Sequence, residues 1–157
     1  MTLNNYKITY LESYIDNLIK NMNNDNMKAY YKWFKQNARV YHVINKEKSK
    51  QYSKYSRIKM CYDNSYKIVS KRKTLKYIEG YTFAYGIPIE HAFITNNKSE
   101  IIDPTLAIPA LGDSERYGSE YYGIEIPKNI IKSLREKDKF TPLPYKYWKY
   151  LQGDKNE

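Results

Sequence analysis

The chain has 157 residues, 41% of them hydrophobic, which suits one domain able to bury about two thirds of its unfolded surface. No run approaches the roughly 20 apolar residues of a membrane span, and the start MTLNNYKITYLESYIDN lacks the basic and apolar regions of a signal peptide, so a cytoplasmic protein without a membrane partner is expected. The single cysteine, Cys61, excludes an internal disulfide and a multi-cysteine zinc site; His42 and His91 show no ligand spacing, so no metal or cofactor is expected.

The net charge of +10 is one-sided: residues 1–75 hold 16 Lys/Arg against 5 Asp/Glu, and residues 76–157 hold 11 against 12. Along the chain, Ile8, Leu11, Ile15, Leu18, Ile19 and Met22 recur at spacings of three and four, which predicts an amphipathic helix over 6–22 that ends in the turn NNDN. A second helix is predicted over 26–36, carrying Met27, Tyr30, Tyr31, Trp33 and Phe34. The short β-branched run VYHVI (40–44) reads as a strand, and the charged stretch 45–56 as a loop or an exposed helix. Lys48, Lys50, Lys54 and Arg57, with interleaved tyrosines, and then Lys71, Arg72 and Lys73 form a candidate basic surface. Lys/Arg with stacking aromatics suits phosphates and nucleic acid. The same residues also fit a composition rich in Lys, Tyr and Asn throughout.

Tyr62, Tyr66, Ile68 and Val69 predict a partly buried helix reaching about residue 69, with Cys61 near its N-terminus. Strands follow over 77–85, 89–95 and 100–102, separated by residues 86–88 and by the NNK turn, with a further strand over 121–126. Pro127 suits the first position of a helix reaching about residue 137, with Ile130, Ile131 and Leu134 as its stripe. Residues 106–121 read as a loop near the active-site end. Over 141–151 an aromatic segment is expected to dock Tyr147, Trp148 and Leu151 on the core, with a frayed tail beyond. Helices followed by antiparallel strands give an α+β fold. The expected organisation is one domain over 1–157: a helical, basic part (1–57), a catalytic helix and sheet core (58–126), and a C-terminal helix and tail (127–157).

Three residues in this layout can do chemistry together. At a helix N-terminus, free backbone N–H groups and the helix dipole favour an anion, so Cys61 is placed where a thiolate is stabilised. His91, on a strand, can accept the thiol proton, and Asp103, ending the next strand, can hold the imidazole. Each has a plainer reading: a small buried hydrophobe, a hydrogen-bonded core histidine, and a turn former before Pro104.

The run His91-Ala92-Phe93-Ile94, followed by Ile101-Ile102-Asp103-Pro104-Thr105, resembles the His strand and Asp-Pro-Thr ending of the transglutaminase-like branch of papain-type cysteine enzymes, and EGYTFAYGIPIEHAFI resembles small bacterial and phage members. The resemblance covers about residues 61–126. It implies a core of a catalytic helix and an antiparallel sheet, with Cys61, His91 and Asp103 as the triad. It also implies a second oxyanion donor upstream of the cysteine, for which Gln51, Tyr52 and Tyr55 are candidates. Asn64 and Glu79 are further candidates to line the site. Lys59-Met60 before Cys61 and Tyr62-Asp63 after it depart from the small or aromatic neighbours usual in that family.

The expected function is therefore cysteine-dependent acyl transfer through a thioester, as a peptidase, deamidase or transglutaminase, on a protein or peptide substrate that the basic surplus suggests is acidic. Two other classes stand beside it. One is a non-catalytic phage or mobile-element protein that inhibits a host factor through its basic, Tyr-rich face. The other is a nucleic-acid-binding protein.

Overall fold

The computed structural model describes residues 7–109 and 116–153. The elements run α1 (Tyr10–Asn21), α2 (Asp25–Asn37), β1 (Arg39–Tyr41), α3 (Lys46–Ser53), α4 (Cys61–Val69), β2 (Lys76–Ala84), β3 (Ile87–Thr95), β4 (Ile101–Ile102), β5 (Glu120–Ile126), α5 (Lys128–Lys137) and α6 (Leu143–Leu151). The α+β class expected from the sequence holds. Five antiparallel strands in the order β1-β5-β2-β3-β4 form a curled sheet, a half-barrel, with six helices around it.

Local chemistry fixes the helix starts. Thr9 and Glu12 form a capping box: the Thr9 hydroxyl accepts from the Glu12 N–H at 3.2 Å, and the Glu12 carboxylate accepts from the Thr9 N–H at 2.8 Å. The helix predicted over 6–22 therefore begins at Tyr10; residue 6 lies outside the described residues. Glu120 of β5 reinforces that end, its carboxylate accepting from the N–H groups of Tyr10 (3.1 Å) and Leu11 (2.9 Å), where the helix dipole favours negative charge. Asn24 and Asn45 cap α2 and α3 by accepting from the N–H groups of Met27 (3.0 Å) and Lys48 (2.9 Å). The second cap turns most of the charged stretch 45–56 into helix α3, with Ser49 fully buried.

The sheet has two clothed faces. On one, Tyr77 and Tyr81 of β2, Ala92 and Ile94 of β3 and Tyr122, Ile124 and Ile126 of β5 pack against α1, α2, α4 and α6 through Leu11, Ile15, Phe34, Val69 and Trp148. On the concave face, Tyr41, Ile78, Phe93, Ile101 and Tyr121 form a second core. The curl brings residues 43–45, just past β1, alongside β4. The Ile101 N–H donates to the Val43 carbonyl at 2.7 Å and the Asn45 N–H to the Ile101 carbonyl at 2.8 Å, a short parallel bridge that links the two edges of the half-barrel.

Several expectations are corrected. The β2–β3 turn is the two-residue Tyr85-Gly86, both with positive φ (53° and 78°), a primed-turn geometry that matches strand twist. Pro88 consequently lies inside β3, opposite Phe83; β4 pairs only with Ile94 and Thr95, so this end of β3 is an open edge that tolerates a residue without an N–H. The segment 141–151 contains helix α6, which buries Trp148 (7% exposed) but leaves Leu151 51% exposed, because Leu151 falls on the outer side of its last turn. Pro127 is the N-cap of α5 rather than its first helical residue. Of the loop over 106–121, residues 110–115 lie outside the described residues, as do 154–157 of the tail.

Candidate active site

Cys61 is the first residue of α4 and is 8% exposed. Met60 supplies no side-chain cap, and the first helical hydrogen bond runs from the Asn64 N–H to the Met60 carbonyl (2.8 Å), so the N–H groups of Cys61 to Asp63 precede the helical ladder. Two side chains hold this helix start in place. Asn64 closes a ring with the backbone of Arg57, accepting from its N–H at 3.0 Å and donating to its carbonyl at 2.8 Å, and its Nδ2 also donates to the Thr105 hydroxyl at 2.9 Å. Ser65 donates to the Ala92 carbonyl at 3.3 Å, which docks α4 on β3 beside His91. The strap passes through Lys59, whose φ of 61° is unusual for a residue with a side chain.

His91 is 3% exposed and Asp103 fully buried; imidazole Nε2 donates to Asp103 Oδ2 at 2.8 Å. The Asp103 carboxylate is held on every side. Oδ1 accepts from the N–H groups of Thr105 (3.2 Å) and Leu106 (3.0 Å), the turn that an Asp-Pro-Thr sequence favours, and Oδ2 also accepts from the Tyr121 hydroxyl at 2.8 Å. Its backbone N–H donates to the Ser49 hydroxyl (2.9 Å), which in turn donates to the Asn45 carbonyl (2.7 Å). Tyr121 is itself anchored, accepting from the Gly118 N–H at 3.1 Å.

With Nε2 committed to Asp103, Nδ1 is the ring nitrogen left for Cys61, and the two side chains line one open cleft of about 490 Å³. Burial by itself disfavours the imidazolium, the largest single effect, but the Asp103 charge and hydrogen bond, together with the Cys61 side chain as hydrogen-bond partner and charge, overcome it and raise His91 from 6.5 to about 10. These partners favour the charged imidazolium, whose proton a neighbouring thiol can supply. Leu106, Ile108, Ile89 and Ile58 give the cleft around the pair a largely apolar lining, joined by Thr105, Tyr62, Tyr85, Lys59 and Glu90.

The structure thus brings Cys61, His91 and Asp103 together and leaves other expected site residues elsewhere. Gln51, Tyr52 and Tyr55 do not line the cleft. Gln51 is exposed and accepts from Lys48 Nζ at 3.2 Å, the Tyr52 hydroxyl accepts from Arg72 Nε at 3.4 Å, and Tyr55, past the end of α3, is 79% exposed. Asn64 is the strap behind the thiol. Glu79, on β2, lies in a neighbouring cavity. The basic candidates Lys48, Lys50, Lys54, Arg57, Lys71, Arg72 and Lys73 are all exposed and form no ion pair with a carboxylate among the described residues; Arg72 sits over the Tyr52 ring at 6.0 Å, joining the turn after α4 to α3. Among the described residues no group of three or more His, Cys, Asp or Glu is arranged to hold a metal ion, and no helix is long and apolar enough to cross a membrane.

Sequence reasoning missed Tyr121 and Ser49, which complete the support of Asp103. Tyr121 is one of 19 tyrosines and lies 18 positions from Asp103, so only the pairing of β5 with β2 reveals it. No protein-family model, curated protein or solved structure matches this chain.

Proposed function

We propose that the protein is a cysteine-dependent acyl-transfer enzyme using Cys61, His91 and Asp103, with a core of the transglutaminase-like type. The observation that carries this reading is the placement of a buried His91 between a fully hydrogen-bonded Asp103 and a thiol at a helix start, in an open cleft. The order of helix, His strand and Asp turn, and the antiparallel sheet that supports them, agree with the sequence resemblance.

The chemistry follows from the positions. His91 holds the thiol proton, and Cys61 Sγ attacks the carbonyl carbon of an amide. Negative charge develops on the carbonyl oxygen, and the free Cys61 N–H at the helix start is a donor suited to it. His91 then returns the proton to the leaving nitrogen as the C–N bond breaks, leaving an acyl thioester on Cys61. Water or an amine, deprotonated by His91, attacks the thioester and regenerates the thiol. Asp103 stays ionised and keeps the ring oriented throughout.

The deciding experiment is the rate of Cys61 alkylation by iodoacetamide as a function of pH, in the native protein and in His91→Ala. The expected result is fast alkylation persisting well below the free-thiol value of about 8.5, and its loss in His91→Ala. Slow alkylation that the substitution leaves unchanged would make Cys61 a packing residue and turn the reading toward a non-catalytic interaction protein.

A further inference from the structure

A second cavity, of about 250 Å³, lies on the helical side of the sheet and shares the side chains of Tyr62 and Glu90 with the Cys61–His91 cleft. Its wall is largely aromatic, with Tyr30, Tyr31, Tyr62, Tyr81 and Tyr145. Glu79, 3% exposed, lies at its inner end, and the exposed Glu90 at its outer one. The Glu79 carboxylate takes one hydrogen bond, from the Leu143 N–H, while its Oε2 is buried with no partner among the described residues. A carboxyl in that setting is costly unless something pairs with it.

The nearest cations do not fill the role. Arg135 is engaged with Asp63 at 2.8 Å, and Lys146 Nζ donates to the Leu134 carbonyl at 3.0 Å. Left alone, burial pushes the Glu79 carboxyl well above the usual carboxylate range, and the Cys61 charge adds to that. A ligand alkylammonium would supply what is absent: a charge for Oε2, and apolar carbon atoms to fill the space between the aromatic side chains, whose rings also attract cations through their quadrupoles.

We infer that this cavity binds an alkylammonium group, its charge against Glu79 and its carbon atoms among the tyrosines. Because Tyr62 and Glu90 wall both spaces, a molecule that reaches Cys61 can place a cationic side chain here; that role as a substrate subsite rests on the acyl-transfer reading, whereas cation binding itself does not.

The test uses the full chain carrying Cys61→Ala, so that no chemistry intervenes, and titrates it with n-butylammonium and, separately, with uncharged 1-butanol, following amide shifts by NMR. The expected result is saturable binding of butylammonium at the tyrosine-lined cavity, at least tenfold tighter than butanol, and at least tenfold weaker in Glu79→Gln. No binding, equal binding of the alcohol, or binding indifferent to Glu79→Gln would overturn the inference. The comparison with butanol decides the matter even if Glu79→Gln fails to fold. Failure of the acyl-transfer reading shows separately, as Cys61 alkylation indifferent to His91→Ala in a protein that still binds the ammonium ion.

Discussion

Asp103 divides its work between its two oxygens: Oδ1 shapes its own turn through two backbone N–H groups, and Oδ2 is shared by His91 and Tyr121. The tyrosine is thus a positioning residue that fixes the carboxylate which fixes the imidazole. Tyr121→Phe keeps the ring in the concave core but removes one partner of Oδ2 and the acceptor of the Gly118 N–H. Leaving buried polar groups short of a partner costs about 1–3 kcal/mol, which urea unfolding should read directly. The same substitution should slow alkylation of Cys61 with the fold intact, since the imidazole is then less firmly oriented. A change in stability with no change in thiol reactivity would confine Tyr121 to packing.

At the level of elements, the site depends on how closely β2 and β5 approach. Gly80 and Gly123 are directly paired across the two strands. A Cβ on Gly80 would lie 2.3 Å from the Tyr122 carbonyl oxygen and 2.6 Å from Gly123 Cα, with Phe34 of α2 at 3.2 Å, so neither the partner strand nor the overlying helix has room for it. Gly80→Ala should therefore destabilise by about 1–3 kcal/mol or more, read as a lowered urea midpoint. Gly80 is also opposite His91 in β3, so the strain should reach the site as a lower alkylation rate. The elements themselves were largely legible. Periodicity gave α1, α2, α4 and α5, and β-rich runs gave β2, β3 and β5. Three of the misjudged boundaries trace to local chemistry that periodicity does not report: the Thr9 cap, the Tyr85-Gly86 turn, and the open edge that accepts Pro88.

For the whole molecule, the buried His91–Asp103 pair couples folding to pH. Asp103 raises His91 above its ordinary 6.5, so in a Cys61→Ala protein, where no thiol supplies the proton, the folded state binds a proton that the unfolded chain releases. Its contribution is complete below pH 6.5 and is lost as pH rises through the raised folded value. The unfolding free energy of Cys61→Ala, relative to the double variant Cys61→Ala/His91→Gln, should thus fall across that window, by an amount on the order of a few kcal/mol. Denaturant titrations at pH 6, 8 and 10 check this, and a constant difference would mean that His91 folds uncharged. The curl of the sheet serves the same pair. It brings β4 and α3 together, and with them the Ser49 hydroxyl that receives the Asp103 N–H.

The sequence alone determined the α+β class, the helical first third, the placement of Cys61 at a helix start and the order Cys61, His91, Asp103, because these follow from local periodicity, capping chemistry and short motifs. Only the tertiary structure decided which side chains support that order. Gln51, Tyr52 and Tyr55 precede the cysteine in sequence, but none of them lines the cleft, whereas Tyr121 and Ser49 reach Asp103 through strand pairing and barrel curl. Glu79 likewise reads as one residue of a strand; that its carboxylate ends in an aromatic cavity, half satisfied, depends on α2, α6 and β2 closing around it. Contacts between residues far apart in the chain are set by packing, and packing is decided by the whole fold at once.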